Sequence, residues 1–490
     1  MVAQPWVRRK AASAAASLAR MLGEGVVGEG PLVADGDAGQ GQAPLLMRWR
    51  LRLGPWHLWL AALVALGLGI RLGYVVGWSG PDRETGDAIY YHEGANLLAN
   101  GHGFIHPIAM AFAFREMPGA DHPPAYIVYL AAASVAGFRS FFEHQVWSCF
   151  LGAATVGVVG FAGRRIAGNR AGLIAAGLAA MLPTLWMPDG WVLSETMAIF
   201  ATALVILAAY RCWDDARPRS ALLLGAAIGI AALSRSELLA LSPLIVLPLF
   251  WFRRASAQRP VASVLVAFAA TLVVIGPWVG YNLARFDDET VLLSNNLDRT
   301  MAASWCSDGF YGPIVGYKSY PCLEAATVGD TQAEENAHAR EVWHAYARDH
   351  LGRVPAVAAA RVGRLWGLFR PAQQVDLEAT IVGGPERRPT WAAFVMTWIL
   401  LALAPLGAWR LRRRGRPIFP LLAPIVAVSA GAALTFGQLR YRMPADPALV
   451  LLVAGLAAAP RSTTSGADPA EGTVPGAEPA PERQVASAAT

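Results

Sequence analysis

Asp87, Tyr90 and Tyr91 stand in the stretch TGDAIYYHEGANLLANGHGFIHP, residues 85–107, just after the first strongly apolar run of the chain. If 87–98 is helical, Asp87, Tyr90, Tyr91, Gly94 and Leu98 share one face at i, i+3, i+4, i+7 and i+11. A carboxylate there has two readings. It is an N-cap that follows a glycine and precedes a helical run, or it is a general base at a membrane–water boundary. In the second case partial desolvation raises its pKa towards the range useful for proton removal. The tyrosines fit either an interfacial aromatic belt or the wall of a site. His122, ahead of Pro123–Pro124, reads as a cap or loop residue that returns the chain to the same mouth. His102 and His106 flank GFIHP, but three histidines with no carboxylate at ligand spacing make a weak metal signal.

Further acids and bases gather at predicted span ends. Glu195 in PDGWVLSETM stands at the outer end of a span, with Asp189 nearby. Near-membrane acids are costly unless they face water or a partner, so Glu195 is a site candidate as well as a solvated helix-end acid. Arg235 in LSRSELLALSP and Arg440 and Arg442 in GQLRYRMPADP lie in short outer turns. Such arginines can clamp a phosphate through bidentate hydrogen bonds. They can equally contact lipid headgroups or pair with Glu237 or Asp446. Lys318 is a further candidate cation. Carboxylates and cations at one outer mouth, under a large loop, suggest chemistry on a lipid-linked, phosphate-bearing substrate.

The elements that hold these residues are membrane helices. Of 490 residues, 55% are hydrophobic and 16% charged, and the chain carries 17 Trp. A soluble chain carries about 25% charged residues. The formal charge of +6 sits largely in loops between apolar runs, where the positive-inside rule accounts for it without nucleic acid. Spans are expected near 56–78, 144–163, 170–188, 192–210, 220–234, 237–252, 261–280, 391–409, 417–436 and 443–459. The fold class expected is therefore an all-α polytopic membrane protein of about ten transmembrane helices. Basic clusters at 48–52, 163–170, 217–220, 252–259 and 409–416 should all be cytoplasmic. Counting the apolar run 122–138 as a crossing would invert every later cluster. It is therefore predicted to be a juxtamembrane helix on the outer face, begun by Pro123–Pro124.

Two outer loops result, about 79–143 and 281–390. In the second, Cys306 and Cys322 can form a disulfide if the loop faces an oxidising compartment. Its closure would stabilise the loop by roughly 3 kcal/mol in the chain-entropy model; the alternative is two free thiols. Cys149 and Cys212 read as free core thiols. Residues 330–371 read as one or two helices. Trp343, Tyr346 and Ala347 form one stripe, and Val362, Leu365, Trp366 and Phe369 another. Arg361, Arg364 and Arg370 beside Trp366 suit either a helix on a lipid surface or a small outer domain packed on itself. The arm 1–55 and the tail 460–490 are expected to be disordered and cytoplasmic. Between them lie a transmembrane module (56–280), an outer cap (281–390) and the C-terminal transmembrane helices (391–459).

In order, GDAIYYHEGANLLANGHGF, DHPPAYIVYLAAA, LSETMAIF, ALSRSELLALSPLIVLPL, GPWVGYNLARF and RYRMPADP resemble the membrane-embedded, polyprenyl-phosphate-sugar-dependent glycosyltransferases. These have the C-type fold and form family 39, which includes protein O-mannosyltransferases and the aminoarabinose transferases of lipid A. The resemblance covers roughly 56–459. It implies that a sugar on a polyprenyl phosphate passes, with inversion, to an acceptor hydroxyl outside the membrane. Asp87 would be the catalytic base, and Glu195 would help place the substrate. Arg235, Arg440 and Lys318 are candidates, by position, to stabilise the leaving phosphate. Many relatives carry two adjacent acids in the first motif, whereas Ala88 follows Asp87 here, so no obligatory metal or other cofactor is expected.

The expected enzyme is thus an inverting hexosyl or pentosyl transferase. It would be a multi-pass plasma-membrane protein with both termini cytoplasmic and its site on the outer face. Its partners would be membrane lipid, the polyprenyl-phosphate sugar, and an acceptor protein, lipid or cell-wall glycan. The alternative is a polyprenyl-lipid or glycan transporter without catalysis. It would more readily place charges deep in its spans, whose centres here are almost charge-free.

Overall fold

The computed structural model describes residues 54–79, 86–215, 217–253, 260–287, 289–329, 331–381 and 387–458. The tail 460–490, nearly all of the arm 1–55, the basic cluster at 48–52 and most of that at 252–259 lie outside the described residues. No strand occurs among the described residues, which hold helices and one isolated bridge between Ile105 and Pro118.

The first helix, α1 (Pro55–Tyr74), opens on proline and runs on through a π turn to Ser79. It exposes Leu58, Trp59 and Leu66 on one side and buries Trp56 and Leu60 on the other, as a helix between lipid and protein should. After the undescribed 80–85 come α2 (Gly86–Ala99), α3 (Pro107–Ala113) and α4 (Ala125–Val135), all between the first two helices long enough to span. Asp87 occupies the first turn of α2, where a carboxylate meets the positive end of the helix. Eleven residues give α4 a length of about 16 Å, half a hydrocarbon core, and it packs on α2. The helix in the run 122–138 is therefore too short to cross by itself.

The next helices are α5 (Phe141–Ala167), α6 (Asn169–Met181), α7 (Glu195–Asp215) and α8 (Pro218–Ser234). Ser140 and Glu143 close a capping box at the start of α5, fixing where the preceding segment ends. At Gly172 of α6 an added Cβ would stand 2.7 Å from the Gly160 carbonyl oxygen of α5. The two helices meet backbone to backbone, as membrane helices do through small residues. Leu182 and Pro183 end α6 early, so the expected span 170–188 is a shorter helix followed by a 3-10 turn and Met187–Trp191. A 3-10 turn, a π turn and α9 (Leu247–Arg253) form the composite span Ser236–Arg253, followed by α10 (Pro260–Leu283).

The long segment after α10 holds α11 (Leu297–Ala302), α12 (Gln332–Asp349), α13 (Val354–Leu365) and α14 (Pro371–Ile381). Met301, Trp305, Phe310 and Val357 form its own small core, against which Trp343, Tyr346 and Ala347 pack. Cys306 and Cys322 are disulfide-bonded. The lipid-surface alternative for the arginine stripe is corrected here. Arg361 and Arg364 are fully buried. Arg361 donates to the carbonyls of Ala433, Leu434 and Ser304 at 2.9–3.0 Å, so it caps the end of a membrane helix rather than meeting lipid.

The chain closes with α15 (Arg387–Arg413), α16 (Phe419–Leu434), the single turn α17 (Leu439–Arg442) and α18 (Asp446–Ala454). Six helical stretches among the described residues are long and apolar enough to cross a membrane: 55–79, 141–167, 195–215, 236–253, 260–283 and 387–413. α8 and α16 are shorter apolar helices.

Candidate active site

Four elements meet beside one cavity. α2 brings Asp87, the start of the DHPP segment brings Asp121 and His122, the N-terminus of α7 brings Glu195, and α17 brings Arg440. Asp87 Oδ2 stands 2.5 Å from Arg440 Nη2, and its Oδ1 stands 3.7 Å from His122 Nε2. Arg440 Nε reaches to 3.7 Å from Glu195 Oε1, which Arg235 Nη1 also meets at 2.6 Å. Arg235 Nε continues to Glu237 Oε1 at 2.5 Å. Acids and bases thus alternate from His122 to Glu237. The Tyr441 ring lies under both guanidinium groups, 4.5 Å from Arg235 and 5.2 Å from Arg440.

This chain lines a cavity of about 470 Å³ whose other walls include Ser194, Asn296, Leu297, Val428 and Ala432. Asp87 is one-third exposed, while Glu195 at 1% is sealed beneath it. Burial would raise the Asp87 pKa, but Arg440, the His122 hydrogen bond and the more distant Lys318 outweigh it. The carboxyl is held well below the usual range. The expectation of a raised pKa is therefore reversed, because a guanidinium in contact stabilises the carboxylate more than lost water destabilises it. As for the N-cap reading, the Asp87 side chain faces Arg440 from the first helical turn.

Tyr90 and Tyr91 are buried. Their rings pack 4.9 and 5.0 Å from that of His122, and Tyr91 also lines the cavity. Burial raises both phenols, helped by Asp121 for Tyr90 and by Asp87 and Glu195 for Tyr91. They are neutral walls that fix the imidazole. Lys318 stands 4.9 Å over the Tyr320 ring and 5.6 Å over Phe436, and has no carboxylate within ion-pair distance among the described residues. Burial and the Arg440 charge lower its pKa.

Arg442 is not at the mouth. Its Nε meets Asp446 at 3.2 Å and its Nη2 donates to Thr397 at 2.8 Å, both acid and base fully buried. Two residues along a helix turn the side chain by about 200°, so Arg440 and Arg442 point to opposite sides of α17. Asp189 is likewise remote, paired at 2.9 Å with Arg71 of α1.

Two residues escaped the sequence reading. Asp121, 9% exposed, accepts from Gln332 and pairs with Arg299 at 2.9 Å and His106 at 3.2 Å. Burial would raise its pKa, but Arg299 and His106 outweigh burial and lower it. Its place directly before His122 was the only signal. Glu378 of α14 accepts from the Leu439 amide at 2.8 Å and from Gln374 at 2.7 Å, which seats α17 and with it Arg440. Nothing in RPAQQVDLE foretells that contact. Among the described residues no three His, Cys, Asp or Glu side chains gather as metal ligands.

Residues 121–281 match the family model described as dolichyl-phosphate-mannose-protein mannosyltransferase. The lipopolysaccharide core galacturonosyltransferase RgtA of Rhizobium johnstonii is 27% identical over 336 residues, 64% of this chain and 60% of that protein. The apo oligosaccharyltransferase of Archaeoglobus fulgidus superposes with a TM-score of 0.49 at 16% identity, over 83% of this chain and 51% of that one. ArnT from Cupriavidus metallidurans, bound to undecaprenyl phosphate, gives 0.38 at 14% identity, over 82% and 78%. The chain thus spans less than two-thirds of the curated relative and about half of the archaeal protein. The segment 121–281, which matches that mannosyltransferase family model, begins at Asp121 and His122 and carries Glu195, Arg235 and Glu237.

Proposed function

We propose that this chain transfers a sugar from a polyprenyl phosphate to an acceptor hydroxyl, with inversion, at the outer face of a plasma membrane that it crosses several times. Both termini would lie in the cytoplasm. The observation that carries this reading is the alternating series His122–Asp87–Arg440–Glu195–Arg235–Glu237 along one cavity beside apolar helices. It offers a proton acceptor, and next to it guanidinium groups that could meet a phosphate.

In this reading the acceptor oxygen attacks the anomeric carbon and its proton passes to Asp87. The bond from that carbon to the phosphate oxygen breaks, and its electron pair leaves with the polyprenyl phosphate. Arg440, Arg235 and Lys318 are placed to oppose the charge that develops there. Arg440 explains how a carboxylate of depressed pKa can serve as the base. A donor phosphate that engages Arg440 draws its charge away from Asp87, so the carboxylate becomes more basic as the donor binds.

The test is Asp87→Asn in lipid nanodiscs, supplied with radiolabelled polyprenyl-phosphate sugars. Transfer should fall by about 10²–10⁴-fold, the usual worth of a general base, while polyprenyl phosphate still binds. Undiminished transfer would falsify the assignment of the base. A transporter would move label across the bilayer without cleaving the sugar–phosphate bond, which the same assay reads.

A further inference from the structure

Asp87 also borders a second space. A space of about 220 Å³ shares Asp87, His122 and Arg440 with the large cavity, but leaves it towards Lys318, Tyr320 and Phe436. Beyond that lies a cavity of about 400 Å³, which Lys318 and Tyr320 also line. Its apolar walls are Ile314, Tyr317, Pro321 and Leu377, and its polar groups include Asp308, Gln373 and Asp376. Lys318 is therefore the divide between an inner space at the base and an outer one on the second loop.

The outer cavity is built on fixed elements. Ser319 accepts from the Cys322 amide at 3.3 Å and donates to Asp308 at 2.8 Å. The Cys306–Cys322 disulfide ties the same turn to the start of the short helix Ser307–Phe310, which carries Asp308. Gln373 donates to the Pro313 carbonyl at 3.1 Å, joining α14 to the opposite wall. Tyr320 presents a ring that is 45% exposed, and the Tyr317 hydroxyl is buried with no hydrogen-bond partner among the described residues.

Ring and aliphatic faces next to carboxylates and an amide suit a pyranose. Its C–H faces pack on the rings, while its hydroxyls donate to Asp308 and Asp376 and bond to Gln373. A lipid tail would leave the carboxylates facing hydrocarbon. We propose that this outer cavity is the acceptor subsite and takes a saccharide, whose reacting hydroxyl passes Lys318 to reach Asp87. The role as acceptor rests on the transferase reading above; the saccharide subsite itself does not. The donor's lipid would then occupy the large cavity, with Val428 and Ala432 of α16 on its wall. The two substrates would approach Asp87 along separate paths.

The probe is a set of methyl hexopyranosides (galacto, gluco and manno), read by saturation-transfer NMR on the full chain in lipid nanodiscs. A serine- and threonine-containing octapeptide serves as the competing acceptor class. Retention of undecaprenyl phosphate is read separately by native mass spectrometry. At least one glycoside should give a signal on the wild type. Tyr320→Ala, which removes a stacking face, and Leu377→Trp, which fills the cavity, should each weaken it about tenfold. Both variants should hold undecaprenyl phosphate as the wild type does. Glycoside signals unchanged in both variants, or a signal from the peptide alone, would overturn the proposal. If the wild type fails to bind undecaprenyl phosphate but the glycosides behave as expected, the donor reading falls and the saccharide subsite stands.

Discussion

At the residue scale the main result is an inversion of sign at Asp87. A carboxyl beside a membrane is expected to be a strengthened base, yet contact with Arg440 makes it a weakened one until something competes for the guanidinium. This yields a pH prediction. Because the folded pKa is depressed, Asp87 is ionised at every working pH. Its pairing contributes stability that is present above the unfolded value of about 3.9 and is lost as pH falls through the folded one. In Arg440→Gln the largest opposing influence is gone and burial pulls the pKa upward. The acid limb of the kcat/KM profile should then move to higher pH than in the wild type. An acid limb that stays in place would show that Arg440 does not set the basicity of Asp87 in the working enzyme. Arg440→Lys should restore the limb but not full activity, since an ammonium cannot reach Asp87 and Glu195 together as a guanidinium does.

At the scale of elements, the site depends on a helix that could not exist alone. α17 has four residues, far below the length at which a helix is stable in isolation. Its first amide is satisfied by Glu378, itself buried and held by Gln374. Burial raises the Glu378 pKa, and the hydrogen bonds it accepts work against that rise. Glu378→Ala removes the acceptor and leaves a buried N–H unpaired, at a cost of about 1–3 kcal/mol. With α17 loosened, Arg440 leaves its place between Asp87 and Glu195. Binding of undecaprenyl phosphate should weaken by about tenfold or more, given the cost of that lost bond. Glu378→Gln keeps a carbonyl oxygen for Leu439 and should recover most of the affinity. If Ala and Gln variants bind equally, α17 is held by its other contacts. The same element explains why Arg442 was misplaced by sequence reading. The two arginines of RYR look equivalent until the turn they form sends one to Asp87 and the other to Asp446.

At the scale of the molecule, what could be read was whatever the bilayer dictates. Apolar length gave six helices long enough to cross, whereas the expected spans 170–188, 220–234, 417–436 and 443–459 hold shorter helices among the described residues. The eleven residues of α4 agree with the parity argument against a crossing at 122–138. Contacts between distant segments were illegible. Arg299 on Asp121 and Glu378 beneath α17 join residues far apart in sequence with no periodicity to announce them. The buried arginines 361 and 364 failed for a related reason, since a basic amphipathic stripe looks the same whether lipid or backbone carbonyls lie beneath it. Orientation follows from the same parity and can be tested as a whole. Glu116, between α3 and α4, is 65% exposed, and Arg412 at the end of α15 is exposed in a basic cluster. The two free native thiols, Cys149 and Cys212, are buried and should stay silent. In intact cells a membrane-impermeant maleimide should label Glu116→Cys, whereas Arg412→Cys should react only after permeabilisation. The opposite pattern would put Asp87 and its cavity on the cytoplasmic side, where the outer-face transfer proposed here could not take place.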